Sequence, residues 1–222
     1  MESFLGQELG DEERDIIRER RQTLTLELFL WALVTGTAGF VGIVLYASFF
    51  EWALHKYLMH TLTLPYSFHA HALVHHGLFR ADPTYHIQPG VDEKKVKFAW
   101  WNAPLLIGLH MPLLLGLGWL FGWPVFVGSL LGLTGDYMLY EYMHFCMHVP
   151  SNRWIERTRA FKFVNTHHYI HHRYPYQNLN VVNVLADWVI GTMRTAKDMD
   201  LSADPIVNPH AEQELAVPIA AL

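Results

Sequence analysis

The sequence predicts an all-α integral membrane helical bundle of three to four spans, with a helical, histidine-rich cap on one side of the membrane. Three observations lead there. Apolar stretches of about membrane length occur at residues 28–50, 98–120 and 124–145, and a span needs about 20 residues. Fifteen of the 222 residues are histidine. Most of these histidines stand in tight clusters just outside the apolar stretches. A mean hydropathy of +0.12 agrees with a chain that is only partly water-soluble.

The rest of the composition works by exclusion. A net charge of −5, with histidines neutral, offers nothing to nucleic acid. The single Cys146 excludes an internal disulfide framework and any thiolate metal cluster. The opening MESFLGQELGDEERD is acidic and lacks the basic region and short apolar core of a secretory signal.

Residues 1–27 carry Glu12, Glu13, Arg14, Asp15, Arg18, Glu19, Arg20 and Arg21, and read as an exposed helix or a tail. Residues 28–50 are free of charge, and Thr35, Ala38, Gly39 and Gly42 suit close packing on another helix. The segment continues through EWALHKYLMH without Pro or Gly. A helix from residue 28 to 60 is about 50 Å long, so His55 and His60 would ride above the hydrocarbon. At i and i+5 they differ by about 140° on an ideal helix, which suits two different metals.

Residues 61–97 form a polar, turn-rich excursion marked by Asp82-Pro83, Pro89-Gly90 and the charged run at 92–95. The excursion holds His69, the H-x-x-x-H-H set of His71, His75 and His76, and His86. Gly122-Trp123-Pro124 divides the next apolar region into an antiparallel hairpin. Trp100 and Trp101 at one end, and Trp119 and Trp123 at the other, read as aromatic belts. The second helix ends in YEYMHFCMH, which returns His144 and His148 to the side where His55 and His60 emerge. The expected organisation is a charged segment at 1–27, one membrane domain at 28–200 with its cap drawn from 51–97 and 144–195, and a weakly structured tail at 201–222.

HHYIHH places His168, His171 and His172 at i, i+3 and i+4 on one helical face, a convergent trio able to hold a metal. With His55, His60, His71, His75, His76, His144 and His148 they make ten candidate ligands. Five imidazoles on a six-coordinate first-row ion leave one position for oxygen or substrate, so ten suit two metals. Glu51, one turn before His55, and Glu141, three residues before His144, are placed to accept the second N–H of a ligand and fix its tautomer. Asp136, two turns before His144, is an intramembrane carboxylate and therefore a functional candidate. His110 suits a hydrogen bond within the bundle. His69 is an auxiliary candidate, His86, His167 and His210 read as solvated or auxiliary, and Cys146 and Met147 read as packing.

At these residues a resemblance appears. HKYLMH, HALVHH, HFCMH and HHYIHH resemble the histidine motifs of the membrane fatty acid hydroxylase and sterol desaturase superfamily, over about residues 51–192. LYEYMHFCMH, HHYIHH and LADWVIGT bring the likeness nearest to fatty acid 2-hydroxylases. In the last stretch Asp187, Gly191 and Thr192 match the family's Trp-Asp … Phe-Gly-Thr signature, which implies a place for Asp187 behind the ligands. The resemblance implies a non-haem diiron centre with all-histidine ligation on the cytosolic face, acting on an acyl substrate. The sequence departs from the family in four ways. The second cluster is H-x-x-x-H-H rather than H-x-x-H-H, with His69 as the substitute for His71. NLNVVN replaces the usual glycines before the Asp. One span precedes the first cluster where two are common, and no b-type cytochrome domain is fused.

The expected function is a membrane diiron oxygenase that hydroxylates a C–H bond of a fatty acyl or related lipid with O2. It would hold two iron ions, with zinc as a substitute in purified protein. Lipid or sterol desaturation and carotenoid hydroxylation share the scaffold. A membrane metal carrier or store, and a bis-histidine haem carrier, are the readings from other classes. Both need polar groups within the spans, where only His110 and Asp136 lie. No dinucleotide fingerprint and no cysteine set for an iron–sulfur cluster is present. Electrons are therefore expected from a separate donor, a ferredoxin or a b-type cytochrome with its reductase. Lys94, Lys95 and Lys97, with Arg153, Arg157, Arg159 and Lys162, are a candidate docking face for it. Four of the sixteen lysines and arginines precede Leu28 and the others lie on the histidine side or its tail. That bias favours a cytoplasmic cap, in a bacterial inner membrane or the endoplasmic reticulum.

Overall fold

The computed structural model describes residues 11–201 and 204–207, and every regular element among them is helical. Helix α1 (Asp11–Leu54) runs for 44 residues, about 66 Å. The charged residues 12–21 form its exposed first turns and are not a separate tail. α4 (Asn102–Phe121) and α5 (Trp123–His148) form the expected hairpin about Gly122, whose φ of +96° a side chain would resist. Among the described residues, α1 and α4 are the two helices long and apolar enough to cross a membrane, and each apolar window is only 11% buried within the chain. The uncovered apolar surface is compatible with lipid. α5 is long enough at 26 residues, but Asp136, Tyr137, Tyr140 and Glu141 dilute its second half, and it does not qualify as a span beside the other two. Trp100, Trp119 and Trp123 are 86%, 85% and 67% exposed at the hairpin's two ends, where the aromatic belts are expected.

α5 packs parallel to α1 along a seam of small residues. A Cβ on Gly128 would come within 1.9 Å of Gly36 O, so the two backbones touch. Ser129 Oγ donates to Gly39 O at 3.1 Å one turn along. The seam is not quite the expected one, because Gly36 and Gly39 face α5 while Gly42 faces open space. Leu114 of α4 packs on Ile43 and Leu133 to close the three-helix core.

The cap begins where α1 widens into a π-helical turn at His55–Met59. A second π-helical stretch, His69–His75, joins α2 (Pro65–Phe68) to α3 (His76–Leu78). α6 (Arg159–Arg173) starts at Thr158, whose hydroxyl accepts from Phe161 N at 3.1 Å. α7 (Leu185–Ile190) ends at the left-handed Gly191. Tyr85, Met147, Tyr169, Ile170 and Val181 fill the cap core. The NLNVVN segment ties the cap to α1. Asn180 Nδ2 donates to Ser48 O at 2.8 Å, Asn183 Nδ2 donates to Val44 O at 3.0 Å, and Ser48 Oγ donates to Asn183 O at 2.6 Å. Residues that depart from the expected glycines thus serve as a polar clamp.

Candidate metal centre

The ten candidate histidines fall into two groups of five, and in each group the facing nitrogens lie within 4.8 Å of one another. The first group is His55, His60, His71, His76 and His171; the second is His75, His144, His148, His168 and His172. All are buried except His76, which is partly so. Two expectations about their partition are corrected. His55 and His60 do not serve different groups. The backbone between them is π-helical, with His60 N donating to His55 O at 3.1 Å, and this wider turn brings residues five apart to one face. His71 and His76 repeat the arrangement on the second π-helical stretch. The trio of α6 is also divided: His168 and His172, one α-turn apart, join the second group, while His171 points to the first.

Backbone carbonyls set the tautomers. His148 Nδ1 donates to Tyr85 O at 2.8 Å and His171 Nδ1 to Gln177 O at 3.0 Å; His55 donates to Leu179 O and His172 to Phe79 O. A carbonyl only accepts, so each of these Nδ1 atoms carries the hydrogen and each Nε2 carries a lone pair. The Nε2 atoms nevertheless crowd together. His171 Nε2 lies 3.2 Å from those of His60 and His76, and His168 Nε2 lies 3.1 Å and 2.9 Å from those of His148 and His172. In each of these contacts one ring has its Nε2 lone pair fixed by a carbonyl, and that lone pair is met either by an N–H of the facing ring or by a cation shared between the rings. Ligands about 2.1 Å from a metal at right angles are about 3.0 Å apart, and opposite ones about 4.2 Å. The groups have those dimensions.

The electrostatics agree. Burial holds His71, His75, His76, His168, His171 and His172 well below the usual imidazole range, and His60 is lowered to about 3 by burial and then by neighbouring His55. At neutral pH they are uncharged and available as ligands without first losing a proton. His76 Nδ1 and His168 Nδ1 are buried without a hydrogen-bond partner.

The carboxylates act otherwise than expected. Glu51 does not touch an imidazole; it accepts from Val181 N at 2.7 Å and Asn180 Nδ2 at 3.1 Å, anchoring the clamp segment. Glu141 accepts from Tyr137 Oη at 2.9 Å, not from His144. Asp187, fully buried, accepts from Leu179 N at 2.9 Å, Asn180 N at 2.7 Å and Thr192 Oγ1 at 2.6 Å, and pairs with His167 Nε2 at 3.0 Å. These donors hold its carboxyl below the usual range against burial. Asp187 therefore steadies the backbone whose Leu179 carbonyl orients His55. His167 is 2% exposed and belongs to this network, so it is neither solvated nor a member of the groups. His69 is exposed and outside both groups, so His71 needs no substitute. His210 lies outside the described residues. The carbonyls of Tyr85, Phe79, Gln177 and Leu179 are what sequence reasoning missed, since any residue type supplies a carbonyl.

Between α1, α4 and α5 lies a small apolar cleft, lined by His55 of the first group and by Phe50, Leu106, Leu133 and Asp136 among others. No member of the second group lines it. His110, expected to bond within the bundle, donates from Nδ1 to Leu106 O at 2.7 Å and also faces this cleft. Compared with known proteins, the chain matches no family model, no curated protein and no solved structure.

Proposed function

We propose that this chain is a membrane diiron oxygenase of the fatty acid hydroxylase and sterol desaturase type, hydroxylating a C–H bond of a lipid with O2 and an external electron donor. One observation carries the reading: two adjoining groups of five neutral imidazoles, one of which opens through His55 onto an apolar cleft between the long helices. Five imidazoles exceed the four ligands of a structural zinc site and leave one position of an octahedron free, which suits iron. Two iron ions would supply the activation of O2 that an unactivated C–H bond demands.

The protein's own part is orientation and exclusion. The carbonyls of Leu179, Gln177, Tyr85 and Phe79 fix which imidazole nitrogen faces inward. The clamp from Asn180 to Asp187 locks the end of α1, and the cleft keeps an apolar chain away from water. In this reading α5 crosses the membrane beside α1 and α4, and the cap is cytoplasmic. The test is lipid mass spectrometry of cells with and without the protein. A lipid heavier by one oxygen atom is expected. Loss of two hydrogens would make the protein a desaturase. No change in any lipid, with iron bound and a donor present, would remove the oxygenase reading.

A further inference from the structure

We propose that the cleft beside the first histidine group binds an apolar chain by a hydrogen-bond donor on the ligand, and that His110 and Asp136 select neutral lipids bearing such a donor, such as long-chain alcohols, against free fatty acids. The inference rests on the oxygenase reading for the reaction but not for the binding.

His110 is 3% exposed on α4. Because its Nδ1 donates to Leu106 O at 2.7 Å, its Nε2 carries the lone pair. That Nε2 is buried and has no partner. Phe50 and Tyr46 pack against the ring at 4.5 Å and 5.6 Å between centroids, both near perpendicular, and neither ring contact supplies a donor to Nε2. A buried acceptor left without a donor is costly, and a donor-bearing molecule in the cleft that His110 lines can supply one.

The other polar groups of the cleft point the same way. Glu51 already accepts from Val181 N and Asn180 Nδ2, and the Tyr137 hydroxyl donates to Glu141. Asp136 accepts no hydrogen bond among the described residues. The groups left for a ligand are His110 Nε2, the Asp136 carboxyl and the Tyr140 hydroxyl, and no lysine or arginine lines the cleft. A fatty carboxylate would bury its charge beside the His110 Nε2 lone pair and the Asp136 carboxyl, with the Tyr140 O–H as a lone donor and no cation to pair with. A hydroxyl or N–H brings the missing donor. His55 lines the same cleft, so the anchored molecule shares its space with the first histidine group.

The experiment is equilibrium binding of radiolabelled hexadecanol, hexadecanoate and hexadecane to the full chain in nanodiscs, without electron donor. Hexadecanol should bind about five- to tenfold tighter than hexadecane and at least tenfold tighter than hexadecanoate. His110→Phe should bring the alcohol to parity with the alkane, and Asp136→Asn should narrow the gap between alcohol and acid. Each comparison is made within one variant, so a general loss of folding cancels. If His110→Phe loses alkane binding too, His110→Gln decides, because its amide keeps an acceptor: retained alcohol preference supports the proposal and lost preference overturns it. Hexadecanoate binding as well as hexadecanol to the unaltered protein, or an alcohol-to-alkane ratio unchanged by His110→Phe, also overturns it. Turnover enters none of these readings. A preserved alcohol preference in a protein that oxidises no lipid would therefore leave this site standing and the oxygenase reading alone in error.

Discussion

The two histidine groups hold the same number of imidazoles and are built by different backbones. Four members of the second come in i,i+4 pairs from regular α-helix, His144 with His148 and His168 with His172, and His75 completes it. The first takes two i,i+5 pairs, His55 with His60 and His71 with His76, from π-helical turns, and adds His171. A π turn is a rarer and costlier geometry than an α turn, tolerated chiefly at functional sites. The costlier backbone is also the one that opens on the cleft, while the second group is enclosed by protein. The lesson is a division of labour: regular α-helix supplies four of the five imidazoles of the closed group, and π-helical turns supply four of the five of the group beside the cleft.

Removing one ligand from each group is the sharpest way to test that division, and has the largest expected effect. His168→Ala and His60→Ala should each lower turnover by more than about a hundredfold, beyond what loss of an outer hydrogen bond costs. Iron should fall from two per chain to about one in each variant, while membrane insertion is unchanged and His210→Ala behaves as the unaltered protein. Metal analysis that finds both ions gone from either variant would show the two groups to be a single cooperative unit.

The Asp187 network reaches a metal-facing imidazole most directly in the first group, through Leu179 and His55, while His167 ties it to the backbone of α6. Asp187→Ala strands two backbone N–H groups, the Thr192 hydroxyl and His167 inside the protein. The cost should be about 3 kcal/mol or more of stability. Iron in the first group should become the easier to chelate. Equal loss from both groups in a chelator titration would mean that Asp187 supports the whole cap and not one side of it.

How much of this could be read beforehand follows the same contrast. Helical spacing makes i,i+4 pairs legible, so the second group's four α-helical members stand out in HFCMH and HHYIHH. Nothing in HKYLMH announces a π turn, and on an ideal helix His55 and His60 point apart, so helical spacing alone splits the first group. The hairpin at Gly122 was legible because Gly and Pro punctuate helices by their own stereochemistry. The small-residue face of α1 was legible in kind but not in register, since Gly36 and not Gly42 meets α5. Glu51 and Glu141 look like imidazole partners by spacing, yet their oxygens turn to Val181, Asn180 and Tyr137. Side-chain direction depends on tertiary neighbours that the sequence lists nowhere nearby.

Acid should separate folded from unfolded imidazole. In the unfolded chain histidines take up protons below about pH 6.5. In the folded, metal-free protein, burial keeps His71, His168, His171 and His172 uncharged far below that, and His60 down to about 3. Their contribution to stability is present above about pH 6.5 and is lost as pH falls through the window down to about 3. Thermal unfolding should show Tm flat near neutrality and dropping steadily below about pH 6.5. A Tm unchanged from about pH 7 to about pH 5 would show that water already reaches the imidazoles.

The smallest expected effect concerns how electrons reach the pair of groups. If the first group faces the substrate, the donor should approach from the side of the second. α6 carries two members of that group, His168 and His172, at its end, and its first turns present exposed Arg159 and Lys162, with exposed Arg157 just before. Arg153, counted with them in the sequence, is already held by Glu156 at 2.5 Å and by Val149 O at 2.7 Å, so it is excluded from the docking set. Reversing the charge of Arg157, Arg159 and Lys162 should raise the apparent KM for an acidic electron donor by about three- to tenfold at low ionic strength. kcat and iron content should stay as they were. The difference should fade with added salt, because charges beyond about 10 Å are screened at 0.1 M. The competing role for these cations is to meet lipid headgroups, and that role predicts a donor KM untouched by the triple substitution together with weaker binding to anionic vesicles. That result would place the donor elsewhere and leave the closed group without an assigned route for electrons.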